Sequence, residues 1–313
     1  MRALVTGGAG FIGSHLVAML LEQGAQVRVL DNFSSGRRAN LPRSALRLEV
    51  LEGDIRDASA LQRALEGIEV IFHQAAFVSV PQSLEDPLTC LEVNVNSTAL
   101  LLELARRARV RRVILASSAA VYGDSQELPL QESTPPRPHS PYATSKWVDE
   151  LYASLFTELG LEVVALRYFN VYGPRQRPDS PYAAAIPRFI ASLLDGEEIV
   201  IFGDGGQTRD LIYVEDVARA NLLAAQTPNI AGRVFNICTG RETRLLDVVE
   251  TLYRLIPPRR LHRFEPPRPG DIYRSVGSPQ RAAAELGFQA HISLEEGLAR
   301  TVEAFREAHR SGA

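Results

Sequence analysis

Apolar positions in the first half of the chain alternate between short runs and helical spacing. Arg2–Thr6, Gln26–Leu30, Leu46–Leu51, Glu69–Phe72, Arg112–Ser117 and Glu162–Arg167 read as strands, several of them apolar almost throughout. Strands buried on both faces show such runs. Between them, helical patterns are predicted at Phe11–Gln23, Ala58–Leu65, Pro87–Arg109 and Pro141–Leu159, the first closed by Gly24 and the last by Gly160. Asp86 before Pro87 is an N-cap pattern. Strand alternating with helix predicts an α/β fold with a parallel sheet covered on both faces. After residue 168 the elements shorten. The proline-rich stretch Phe264–Asp271 reads as a loop. A helix follows Ser278–Pro279 and stops at Gly287, and Ser293 with Glu296 forms a capping-box pattern before a last one. The expected division is 1–168, a nucleotide-binding unit, and 169–313, a smaller mixed α/β substrate lobe whose chain crosses back to the first.

Composition narrows the function. The 313 residues carry 34 basic and 37 acidic side chains, a net charge of −3. Nucleic acid and membrane surfaces are therefore not expected partners. No run approaches a membrane span, and no secretory leader pattern precedes the first strand. Cys90 and Cys238 are the only cysteines, which gives no disulfide framework and no metal-binding pair and fits a cytoplasmic protein. Of the 34 basic residues, Lys146 alone is lysine. Arginine cannot readily give up its proton or present a compact ammonium, so this lysine is a candidate for work arginine cannot do.

The turn between the first strand and first helix contains Gly7-x-x-Gly10-x-x-Gly13, overlapped by Gly8-x-Gly10-x-x-Gly13. Glycines here let backbone N–H groups and a helix N-terminus meet a pyrophosphate. Asp31 ends the second strand, where a carboxylate accepts from the adenosine ribose. That favours NAD over NADP, although Arg37 and Arg38 leave a 2′-phosphate open. Asp54-Ile55 ends the third strand and could meet the adenine edge or cap the next helix. Tyr142-x-x-x-Lys146 places a phenol and the single lysine on one helix face. A nearby ammonium favours the phenolate, turning tyrosine into a base.

Together with Ser117–Gly123, Arg167–Pro174, Gly203–Asp210 and Arg268–Asp271, these motifs resemble the extended short-chain dehydrogenases/reductases. The likeness covers essentially the whole chain and is greatest to the nucleotide-sugar branch, nearest its UDP-glucose 4-epimerases. It implies a Rossmann-type doubly wound parallel sheet, NAD as cofactor, a UDP-sugar substrate and a homodimer paired through the helices Pro87–Arg109 and Pro141–Leu159. It also implies inversion at C4 of a UDP-hexose through a 4-keto intermediate. Ser118, Tyr142 and Lys146 would be catalytic. Gly7, Gly10, Phe11, Ile12, Gly13, Asp31, Asn32, Ser34, Ser35, Gly36, Asp54, Ile55, Gln74, Ala75, Ala76, Asn94, Ser117, Tyr168 and Phe169, with Tyr142 and Lys146, would hold the cofactor. Asn170, Phe202, Arg209, Arg268, Asp271 and Ser275 would serve the substrate with Ser118 and Tyr142. Ser275 bears on the room beside the sugar's C2 substituent; a small residue there suggests that an N-acetyl sugar fits, and UDP-glucuronate also stays open. In the 4,6-dehydratase branch an Asp-Glu pair follows the catalytic hydroxyl; here the residues are Ala119-Ala120, which transfer no proton. A regulatory NAD-binding protein could dispense with Tyr142 and Lys146.

Overall fold

The computed structural model describes residues 1–43, 45–179, 184–257, 262–267 and 272–311. Strands Arg2–Thr6 (β1), Gln26–Asp31 (β2), Leu48–Glu52 (β3), Val70–His73 (β4), Arg112–Ser118 (β5) and Glu162–Tyr168 (β6) pair in parallel, in the order β3-β2-β1-β4-β5-β6. A seventh strand, Val234–Ile237, continues the sheet beside β6. Side-chain alternation explains the two covered faces. Ala3, Val5, Val29, Phe72, Ile114 and Val164 point into one core, and Leu4, Leu30, Ile71, Val113 and Val163 into the other. Phe11–Glu22 (α1) packs on the first face with the helix Val214–Gln226. Ala58–Leu65 (α2) covers the second face together with the helices Ser97–Arg107 and Pro141–Glu158.

The predicted helix over Pro87–Arg109 is interrupted. Val80–Glu85 (α3), Pro87–Leu91 (α4) and Ser97–Arg107 (α5) are separate, and a π-helical turn, Glu92–Asn96, links the last two. A π turn carries one extra residue inward. Here that residue is Asn94, whose amide clamps the backbone N–H and C=O of Phe77 and donates to Ser145. Periodicity alone does not register such an insertion. Asp86 does cap α4, accepting from Thr89 N–H. Pro141–Glu158 (α6) follows the Ser140 cap.

Beyond residue 168 the chain returns to the large sheet with the seventh strand, so residues 169–313 build part of both layers. One departure from the sequence reading stands out. Phe264 and Glu265 are not loop but end a strand, His262–Glu265, parallel to Ile199–Phe202; the register satisfies their backbone before the prolines begin. The second core gathers Tyr172, Phe189, Ile190, Ile199, Ile201, Leu252 and Leu298. Phe11 and Ile12, at the carboxyl end of β1, pack against this second core. At the β1/β4 boundary the strand order reverses, the position at which open α/β sheets take ligands.

Candidate active site

The site begins at the turn after β1. Gly7 has φ +67°, and a Cβ there would lie 2.6 Å from Ala75 N. A Cβ on Gly13 would lie 2.2 Å from Gly7 O, so only glycine lets α1 start this close to the turn. Gly10 caps α1 without a side-chain bond, and no acidic residue occupies its first turn, where Phe11 and Ile12 are half-buried. The free N–H groups and the helix dipole therefore face a space suited to an anion. These features fit the pyrophosphate of a dinucleotide.

Asp31 is buried at the end of β2, and both its oxygens are engaged. Oδ2 accepts from Ala9 N–H at 2.9 Å and Oδ1 from Phe33 N–H at 2.8 Å. The carboxylate thus fixes the loop as well as retaining lone pairs toward a ribose. Gly36 is required beside it, since a Cβ there would stand 3.0 Å from Oδ2. Asn32 accepts from Ser34 and donates to Asp54, while Ser35 lends its carbonyl to Arg177. Asp54 is held by the Arg56 guanidinium, which keeps its carboxyl far below the usual range. Asp57, not Asp54, caps α2. Ile55 is buried beside it. Arg37 and Arg38 pair with Asp179 and Glu52.

Other expected cofactor contacts are already engaged within the protein. Gln74, Tyr168 and Asn221 form a closed hydrogen-bonded cluster, and burial pushes the Tyr168 phenol up to about 12. Ala75 N–H donates to Thr6 Oγ1, and Ala76 follows, half-buried. Ser117 donates to Glu150, whose carboxylate also receives Arg167 through two bonds. The Phe169 ring is buried near Tyr122 with Cys238, and its N–H donates to Ile237 O.

Ser118 ends β5, and its Oγ accepts from Ala120 N–H at 3.1 Å, leaving the hydroxyl proton to donate elsewhere. Ala119–Tyr122 then form a short 3₁₀ turn. Tyr142 stands in the first turn of α6, anchored by its N–H to Ser83 Oγ. Lys146 follows one turn later, buried, with Nζ 3.2 Å from Asp149 Oδ2. In the lobe, Asn170 pairs beside Leu211 and is exposed. Arg209 bonds its own strand at Thr208 O. Next to it the buried Asp210 carboxylate collects Thr239 Oγ1 and the N–H groups of Thr239, Gly240 and Gly277. Phe202, Gln207, Phe264, Ile272 and Tyr273 line a cavity of about 680 Å³. Ser275 is half-buried close by in sequence. Arg268 and Asp271 lie outside the described residues.

Residues 3–238 match the NAD dependent epimerase/dehydratase family. The chain belongs to this family. It is 42% identical over 311 residues to the UDP-glucose 4-epimerase of Mycolicibacterium smegmatis, covering 98% of this chain and 99% of that one. A UDP-N-acetylglucosamine 4-epimerase structure from Methanobrevibacter ruminantium has 39% identity and a TM-score of 0.94, covering 98% of both chains. The Thermus thermophilus UDP-glucose 4-epimerase, solved with NAD, gives 39% identity and a TM-score of 0.91 over 98% of this chain and 100% of that one.

This member of the epimerase/dehydratase family is an enzyme with NAD as its cofactor. Its site also contains residues to which the sequence reading gave no role: His73, Asp149, Glu150 and Asn221, with Arg167 and Asp210, which it named only as ends of motifs. Asp149 and Glu150 had a signal, since they lie three and four residues after Lys146 and so share its side of the helix. His73 and Asn221 had none, because their partners come from other elements.

Proposed function

We propose that the enzyme is a UDP-hexose 4-epimerase with UDP-glucose and UDP-galactose as its substrate pair. Bound NAD would supply a hydride acceptor and donor for C4. Tyr142 takes the proton of the C4 hydroxyl, favoured by the Lys146 ammonium. Ser118, one of its lone pairs taken by Ala120 N–H, donates its own proton toward the same oxygen. Arg209 draws the pyrophosphate, with Arg268 in the same role by family likeness. The aromatic cavity at Phe202, Phe264 and Tyr273 suits a nucleobase. Holding the nucleotide end while leaving the hexose free to turn is what inversion requires. The observation that carries epimerisation over elimination is Ala119–Ala120: two methyl groups beside Ser118, where loss of water would need an acid. The small Ser275 favours a second reading, UDP-N-acetylglucosamine as substrate, which the 39% identical epimerase for that sugar supports.

The test is to incubate the protein with UDP-glucose and, separately, UDP-N-acetylglucosamine, and follow the anomeric signals by NMR. Galacto-configured product is expected in at least one tube, and the ratio of rates assigns the C2 preference. Tyr142→Phe should lower kcat about 10²–10⁴-fold. A 4-keto-6-deoxy product, or unchanged turnover in Tyr142→Phe, would overturn the proposal. We further propose a cytoplasmic homodimer. Both cysteines are free and buried, and no helix among the described residues is long and apolar enough to cross a membrane. An apolar face on α3, α4 and α6 is left exposed.

A further inference from the structure

An ammonium removed from water without a counter-charge loses its proton at a lower pH. Lys146 is 3% exposed, and the side chain that meets it is Asp149, equally buried, at 3.2 Å. The other ionisable groups packed around the pair are committed or neutral. Glu150, next on α6, is bonded to Arg167 and Ser117. His73 on β4 lies between Thr6 and Thr98, and burial pushes it down to about 3. Cys90 on α4 has its thiol pushed up by burial. Asp149 is therefore the counter-charge in contact with Lys146 among the described residues. Its Oδ1 is buried with no hydrogen-bond partner. As plain scaffolding, a carboxylate with one oxygen unused is a poor choice, since an apolar side chain would avoid its desolvation.

We propose that Asp149 is a positioning residue for the reaction: it keeps Lys146 charged and fixes it from behind, so that the ammonium's other protons serve Tyr142 and the nicotinamide ribose. The proposal rests on reading Lys146 as the group that activates Tyr142. Asp149 takes one of three ammonium protons and leaves two. Without the carboxylate, the lysine is a buried cation with no partner. Acid has a related effect, because burial pushes Asp149 up to about 6 and the pairing weakens below that pH.

The single lysine makes a direct test possible. Protein grown on lysine labelled at Cε and Nζ, without a lysine-containing tag, gives one side-chain lysine signal by NMR. Its titration midpoint is compared in wild type, Asp149→Asn and Asp149→Glu. We expect Asn to lower the midpoint by about one pH unit or more, Glu to restore most of it, and the alkaline limb of kcat to move with it. An unchanged midpoint in Asp149→Asn overturns the proposal, as does a kcat reduced equally at every pH. If Asp149→Asn does not fold, wild type decides. The lysine signal should show a second, acid inflection as the neighbouring carboxylate takes up its proton, and a lysine signal that stays flat down to the acid limit of folding overturns the proposal. The lysine midpoint and its acid inflection need no turnover, so they stand even if no UDP-hexose is epimerised and the substrate reading fails.

Discussion

His73 shows how one side chain can make a whole fold acid-sensitive. Thr6 and His73 are register neighbours on β1 and β4, and the ring nitrogens meet Thr6 Oγ1 at 2.7 Å and Thr98 Oγ1 at 3.0 Å. Burial, and secondarily the Lys146 cation, push its pKa from 6.5 down to about 3. The unfolded chain then binds a proton below pH 6.5 that the folded chain refuses, so stability falls as pH falls from 6.5 toward 3. His15, pushed down to about 4 mainly by burial, acts in the same direction. Asp149 acts oppositely: its raised pKa makes the folded state bind its proton more tightly, so stability is gained between pH 6 and 3.8. Comparing the urea unfolding of wild type and a His73 variant from pH 7 to 4.5 isolates this histidine, because His15 and Asp149 are common to both. His73→Leu should lose stability at pH 7 but flatten the slope by up to about 1.4 kcal/mol per pH unit. An unchanged slope would remove His73 as the cause. Nothing local in the sequence foretold this, because Thr6, His73 and Thr98 meet only after the sheet forms.

Elements were legible where one physical signal sufficed. Phe11–Glu22 and Ala58–Leu65 follow from periodicity and their stop signals, and the β1 turn follows from its glycines. The break at Glu92–Asn96 was hidden because its cause, Asn94 reaching Phe77 and Ser145, is tertiary. The seventh strand and His262–Glu265 were hidden for a similar reason, since each is short and stabilised by a distant partner strand. Asp31 was legible as a functional position, but not its hold on Ala9 and Phe33. The glycine turn gives the element-scale prediction. In Gly13→Ala the methyl carbon would lie 2.2 Å from a backbone oxygen, which cannot swing aside as a side chain can. Either the turn opens or α1 lifts from it, and both disperse the N–H groups facing the pyrophosphate. NADH affinity, read from fluorescence titration of cofactor-stripped protein, should fall about tenfold or more, or about 1.4 kcal/mol. Undiminished affinity in a folded Gly13→Ala protein would mean that the cradle does not carry the binding.

At the scale of the molecule, α6 has two opposed tasks. One side buries Lys146, Asp149 and Glu150 against the sheet and holds Tyr142 at its mouth. The other exposes Leu151, Leu155 and Leu159, spaced by four residues and hence aligned. α3 and α4 pack against α6 and add Leu84, Leu88 and Leu91, with Leu88 78% exposed. Single exposed leucines need no explanation, but six on adjoining helices form a patch of a kind that monomers seldom leave in water. A two-fold axis through α6 would set the patch against its own copy, as the closed symmetry of most dimers demands. The proposed dimer would then brace the helix that carries Tyr142 and Lys146. Light scattering should give twice the 34.4 kDa of one chain. Leu88→Glu with Leu155→Glu, two changes remote from the β1 turn, should return the monomer mass and lower the melting temperature. The buried side of α6 would keep Lys146 in place, so cofactor binding should weaken less than stability does. A wild-type mass of one chain would end the dimer proposal and leave the leucine face without an occupant.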